Sequence, residues 1–163
     1  MFRIGERVVH PMHGAGVIDS IVQGKGPGGT RDYYVFRLSD GDLILKIPVD
    51  RSNSVGLRPV ITKEEAVHLL DMIPSLKPEE AANWNRRYRE NLERLKSGDL
   101  QEVARVIKGL MRRDQLRGLS NGERKMLHNA RKILFSELML VQGVTYQEIE
   151  AQVDAVILHP QET

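Results

Sequence analysis

The pattern of the chain changes once, near residue 60, and that change constrains the fold more than any other feature. Before it, runs rich in Val, Ile and Tyr (Arg7–Val9, Ala15–Val22, Tyr33–Leu38 and Leu43–Pro48) are separated by Gly, Pro and Asp clusters. Such short, punctuated runs predict β-strands. Asp40-Gly41-Asp42 predicts a tight hairpin, and Val55-Gly56-Leu57 a fifth short strand. Four or five strands within 58 residues, with no helix between them, suggest a small, strongly bent antiparallel barrel. A barrel of that size has few core positions and leans on whatever follows it.

From residue 62 the signals are helical. Four oxygen-bearing residues each precede a Glu by three positions: Thr62 and Glu65, Asp99 and Glu102, Ser120 and Glu123, Thr145 and Glu148. In such a box the cap accepts an orphan backbone N–H while the Glu reaches back and complements the helix dipole. Gly118 and Gly143 follow the ends of two periodic segments as left-handed caps. Another helix lies between Pro78 and Lys96 and stops at Ser97-Gly98; it begins either at Pro78 or near Asn83. Leu100, Val103, Ala104, Ile107, Leu110 and Met111 make one apolar stripe, and Leu127, Ala130, Leu134, Leu138 and Val141 another. The expected architecture is therefore β + α in two domains. A small barrel spans 1–58, a compact bundle of about five helices spans 62–160, and the joint runs from Ser54 to Thr62.

Charge narrows the function. The net charge of +2 says little, but residues 83–132 hold 14 Lys/Arg against 6 Asp/Glu, whereas residues 133–163 hold none against 5. A cationic block of this kind suits a surface facing phosphate, although a solvated helical face gives the same count. With no cysteine there are no disulfides or thiolate zinc sites. The apolar runs are far shorter than the roughly 20 residues of a membrane span. The N-terminus has no apolar signal region, so a cytoplasmic location is expected.

Several motifs carry no chemistry. Gly24-Lys-Gly-Pro-Gly-Gly29 matches a nucleotide-loop pattern, but a strand rather than a helix follows it, so a flexible hairpin loop is expected. His10 and His13 lack further ligands, since His68, His128 and His159 stand singly. No nucleophile–base pairing suggests an enzyme, and no cofactor or small-molecule substrate is called for. The informative segment is Asn83-Trp84-Asn85-Arg86-Arg87-Tyr88-Arg89-Glu90-Asn91, where the chain's single Trp lies among three arginines. Arginine forks bind phosphates, and an aromatic ring can stack on or wedge beside a base. Trp84, Tyr88, Leu92 and Leu95 also follow helical spacing, so burial in the bundle is equally open: a start at Pro78 buries Trp84, a start at Asn83 exposes it. Arg124 and Lys125, early in a helix, run against the dipole preference and hint at an external anion. Nothing in the charge pattern separates DNA from RNA, so an RNA-binding or ribosome-associated adaptor is the alternative.

Over essentially its whole length the chain resembles the CarD/CdnL family of bacterial RNA polymerase-binding transcription regulators. The resemblance lies in Gly5-Glu-Arg-Val-Val-His-Pro-Met-His-Gly14, Val55-Gly-Leu-Arg58, Asn83-Trp-Asn-Arg-Arg-Tyr88, Asn91-Leu-Glu-Arg-Leu-Lys-Ser-Gly98 and Arg112-Arg-Asp-Gln-Leu-Arg-Gly-Leu-Ser120. It implies a Tudor-like N-terminal module, shared with the transcription-repair coupling factor, that contacts the polymerase β subunit. It implies too a helical domain contacting promoter DNA at the upstream edge of the bubble, where the family's tryptophan wedges into the minor groove and stabilises the open complex. Trp84 takes the wedge position on this match. Arg86, Arg89 and Arg124 fall at backbone-contact positions, with Arg87 and Lys125 beside them. Lys46 looks like a β-subunit contact, and Lys25 is a looser match in its Gly-rich loop.

Overall fold

The computed structural model describes residues 1–39, 43–77 and 83–158. Five strands form one antiparallel sheet in the order β4-β3-β2-β1-β5: β1 (Arg7–His10), β2 (Gly14–Gly26), β3 (Gly29–Leu38), β4 (Ile44–Pro48) and β5 (Arg58–Pro59). The sheet is open, and the expected closed barrel is not formed. The two edge strands do not pair with each other: β5 has only two residues, one of them a proline without an N–H. Side chains alternate as the pleat requires. Val8, Ile18, Tyr34, Phe36, Leu38 and Ile47 are buried on one face, while Ile44 and Lys46 point to the other and are exposed.

Two local expectations are corrected. The fifth strand is not at Val55-Gly56-Leu57: Ser52–Val55 form a single helical turn, α1, closed by Gly56 at φ 93°, and the strand follows at Arg58. The Gly24–Gly29 segment is the expected hairpin, but its loop is shorter, because β2 and β3 stay paired out to Gly26 and Gly29. Only Pro27 and Gly28 turn the chain, with Gly28 at φ 82° and Gly29 at φ 126°, conformations that favour glycine. Asp40-Gly41-Asp42 lies outside the described residues.

The helices are α2 (Lys63–Met72), α3 (Trp84–Lys96), α4 (Leu100–Arg117), α5 (Asn121–Gln142) and α6 (Tyr146–Leu158). Residues 159–160, the end of the expected helical domain, lie outside the described residues. Thr62 and Ser120 form complete capping boxes with Glu65 and Glu123, and Thr145 accepts the Glu148 N–H at 3.2 Å. Asp99 caps α4 differently: it accepts from Gln101 N at 2.9 Å, and Glu102 turns to Arg94 and Arg105 instead. Gly143 is a left-handed cap, whereas Gly118 combines φ 78° with ψ 168° and sends the chain off extended. Both apolar stripes enter one core, with Leu127 at its margin.

Helix α5 joins the core to the sheet. The backbone N–H of Ala15 donates to Ser136 Oγ at 2.9 Å, and a Cβ on Gly14 would stand 2.5 Å from that same oxygen. Glu137, fully buried, accepts both arms of the Arg58 fork at 2.7 and 2.8 Å and the Ile61 N–H at 2.8 Å. Arg7 adds a bond to the Leu140 carbonyl. A carboxylate that accepts three hydrogen bonds offsets its desolvation, so the sheet is locked to the middle of the longest helix.

Candidate nucleic-acid interface

The start of α3 decides where the tryptophan goes. Asn83 is extended and accepts the Arg86 N–H on its side chain at 2.8 Å, so it is the N-cap and Trp84 the first helical residue. Of the two starts left open by the sequence, this one exposes the ring, and Trp84 is 42% exposed. The stripe behind it passes gradually inward through half-buried Tyr88 and Leu92 to buried Leu95.

The indole is held on two sides. Its ring stacks on Tyr88, with centroids 5.0 Å apart and planes 19° from parallel. Its N–H donates to Ser120 Oγ at 3.1 Å, so the cap of α5 also fixes the first residue of α3. The two rings lie over the first turn of α5, where a Cβ on Gly122 would be in ordinary contact with both. Trp84 therefore presents one rigid edge to solvent while its polar atom is satisfied.

Of the cations expected at this tip, most but not all are exposed. Arg86 is exposed and pairs with Glu90 at 2.9 Å, a surface pair weak enough to exchange for phosphate. Arg89 and Lys125 are exposed and have no hydrogen-bond or ion-pair partner among the described residues. Arg124, also exposed, bonds the Leu119 carbonyl at 3.4 Å and has no other partner among the described residues. Arg87 is the correction. It is 8% exposed, and its Nε lies 3.2 Å from Glu123 Oε2, because one helical step beyond Arg86 turns it towards α5. Burial works to raise the Glu123 carboxyl, but Arg87 and the Ser120 backbone N–H outweigh it and hold the pKa below the usual range. Arg87 is thus a brace between helices rather than an open phosphate ligand.

Other members of the basic block also face inward. Lys108 is buried and donates to the Ile73 and Pro74 carbonyls at 2.7 and 2.8 Å; burial, with Arg112 nearby, lowers its pKa. Arg131 pairs with Glu150 and Asp154. The block of 14 cations therefore holds a structural group as well as an outward group, of which Arg86, Arg89, Arg117, Arg124 and Lys125 lie towards the start of α3, the end of α4 and the start of α5.

On the sheet, Lys46 is exposed on edge strand β4 opposite Val35, with exposed Ile44 two residues away on the same face. Lys25 is exposed near the tip of the β2–β3 hairpin, far along the strands from Lys46. The His10 and His13 rings pack against each other at a 57° tilt with centroids 4.6 Å apart, and His10 Nδ1 accepts the Met12 N–H at 3.0 Å. Burial, then His13, lowers the His10 pKa from 6.5 to about 4, so the ring is neutral near pH 7.

Two features were missed by sequence reasoning. Ser120 was read only as a cap, and no one-dimensional pattern reveals that it receives an indole from 36 residues away. The Arg58–Glu137 clamp did leave a signal: Glu137 is the only charged residue between Ile133 and Val141, and a lone carboxylate inside an apolar run implies a buried partner.

Residues 68–154 match the model of the CarD C-terminal domain, and residues 2–61 match the CarD-like/TRCF RID domain. The Bacillus subtilis (strain 168) protein named "Putative transcription factor YdeB" is 34% identical over 151 residues, covering 93% of this chain and 99% of the relative. The C-terminal domain match alone spans more than half of the sequence, and it contains the whole Trp84 tip and Glu137 of the clamp. The chain belongs to the CarD family of transcription regulators.

Proposed function

We propose that this regulator binds the RNA polymerase β subunit through its sheet and promoter DNA through the Trp84 tip, at the upstream edge of the bubble, and so stabilises the open complex. The observation that carries the proposal is the half-exposed indole, fixed by Tyr88 and Ser120, with exposed Arg86 and Arg89 on its own helix and exposed Arg124 and Lys125 on the helix that receives its N–H. A rigid aromatic edge is suited to wedging beside a partly unstacked base. The cations supply salt-dependent affinity for phosphate without reading sequence.

The match of residues 2–61 to the CarD-like/TRCF RID domain supports a polymerase contact in general; Lys46, exposed on β4, is the residue we propose meets the β subunit, as the family resemblance implies. Lys25, at the other end of the sheet, is the weaker candidate. An anchor on polymerase raises the effective concentration of the tip at its DNA. A tip that binds the open complex better than the closed one then shifts the equilibrium by the difference in binding free energy. No chemical step is required. The protein acts in the cytoplasm on this proposal; no described helix is long and apolar enough to cross a membrane.

Footprinting of a polymerase–promoter complex tests the proposal directly. Added protein should extend protection at the upstream edge of the bubble, and Trp84→Ala should remove the extension while polymerase stays bound. An unchanged footprint, or recovery of ribosomal RNA without polymerase from lysate, would favour the RNA-adaptor alternative.

A further inference from the structure

The corner between α4 and α5 carries an apolar side chain that packing does not explain. Leu116, in the last turn of α4, is 80% exposed, more than any other described large hydrophobic residue except Met1. A single exposed leucine is ordinary on a surface, but the surroundings of this one are not. Arg112, Arg113 and Arg117 flank it, and Arg124 and Lys125 open the next helix. Across residues 112–125 there are five basic side chains and two acidic ones. One of those acids, Glu123, is buried against Arg87 and also lies 3.9 Å from Arg113. An apolar side chain in such a setting fits a partner that is anionic at its rim and apolar within. A nucleic-acid duplex edge has that form, with phosphates flanking sugar and base edges.

The corner is also continuous with the Trp84 site. Gly118 turns the chain out of α4, and Ser120, two residues on, receives the Trp84 indole. Only four peptide units separate Leu116 from Ser120, so their Cα atoms lie within about 14 Å of each other, or roughly four base steps.

We propose that Leu116 is a second apolar DNA contact, resting against sugar and base edges beside those met by Trp84. The proposal rests on the DNA reading above and deepens it, giving the tip two apolar points instead of one.

The test measures affinity of the full chain for a labelled duplex with one unpaired end, across a range of salt concentrations. Leu116→Ala should weaken binding about five- to tenfold while the slope of log affinity against log salt stays unchanged, since no phosphate contact is lost. Arg117→Ala in parallel should reduce that slope by about one contact's worth. Leu116→Phe, which keeps apolar area, should retain affinity. Unchanged affinity in Leu116→Ala beside a weakened Trp84→Ala would overturn this proposal and leave the DNA reading standing. No loss in either variant would overturn both. A loss in Leu116→Ala accompanied by a shallower salt slope, or an equal loss in Leu116→Phe, would also contradict an apolar contact.

Discussion

The two ends of α5 lie in opposite environments. Around Ile133–Leu138 every side chain is buried, and the polar ones are satisfied: Ser136 by Ala15, Glu137 by Arg58 and Ile61. At Asn121, Arg124 and Lys125 the same helix is exposed and carries cations without acidic partners. The buried end fixes direction, and the exposed end is the proposed contact. Ser120 and Ser136 are about 24 Å apart at the rise of an α-helix, so locking one end to the sheet sets where the other end stands. A polymerase-bound sheet would then aim the Trp84 edge at a set place on DNA, which a flexible tether would not do.

The contrast can be broken most forcefully at its buried end. Glu137→Ala leaves the Arg58 fork unpaired at the junction and should destabilise the protein by about 3 kcal/mol, read by urea unfolding. Glu137→Gln, which can still accept the Ile61 N–H, should cost less. A change in Glu137→Ala no larger than that of a surface substitution would show that the clamp does not hold the modules together.

A smaller effect separates the two kinds of arginine within the tip. Arg87→Ala removes the nearer of two cations from the buried Glu123 carboxylate and should cost about 2 kcal/mol with little change in the salt slope of DNA binding. Arg89→Ala should change stability by less than about 0.5 kcal/mol but lower that slope by about one contact's worth. If both behaved alike, the division of the basic block into inward and outward groups would be wrong. The smallest expected effect on stability belongs to Lys46→Glu, which should leave unfolding unchanged while weakening binding to a β-subunit fragment. Equal affinity would remove Lys46 from the proposed polymerase surface.

What the sequence made legible follows from how local each cause is. Helix starts at Thr62 and Ser120 could be read because cap and partner lie three residues apart. The orientation of Trp84 could not, since it depends on whether Asn83 caps α3 and on a hydrogen bond to Ser120. Arg87 and Arg89 look equivalent along the chain; only the packing of α3 against α5 turns one inward. The barrel expectation failed for a similar reason. Strand content is local, but closure depends on whether β4 and β5 meet, and a two-residue β5 ending in Pro59 cannot bring them together. The Arg58–Glu137 contact joins residues 79 apart, and only the oddity of a carboxylate in an apolar run hinted at it.

Stabilisation of the open complex by Trp84, as proposed, is measured most directly by the lifetime of that complex. A promoter complex formed with the wild-type protein and challenged with a competitor should decay more slowly than polymerase alone. Trp84→Ala, at a half-exposed position and still bound to polymerase, should return the lifetime to that of polymerase alone. A lifetime as long with Trp84→Ala as with the wild-type protein would contradict the claim.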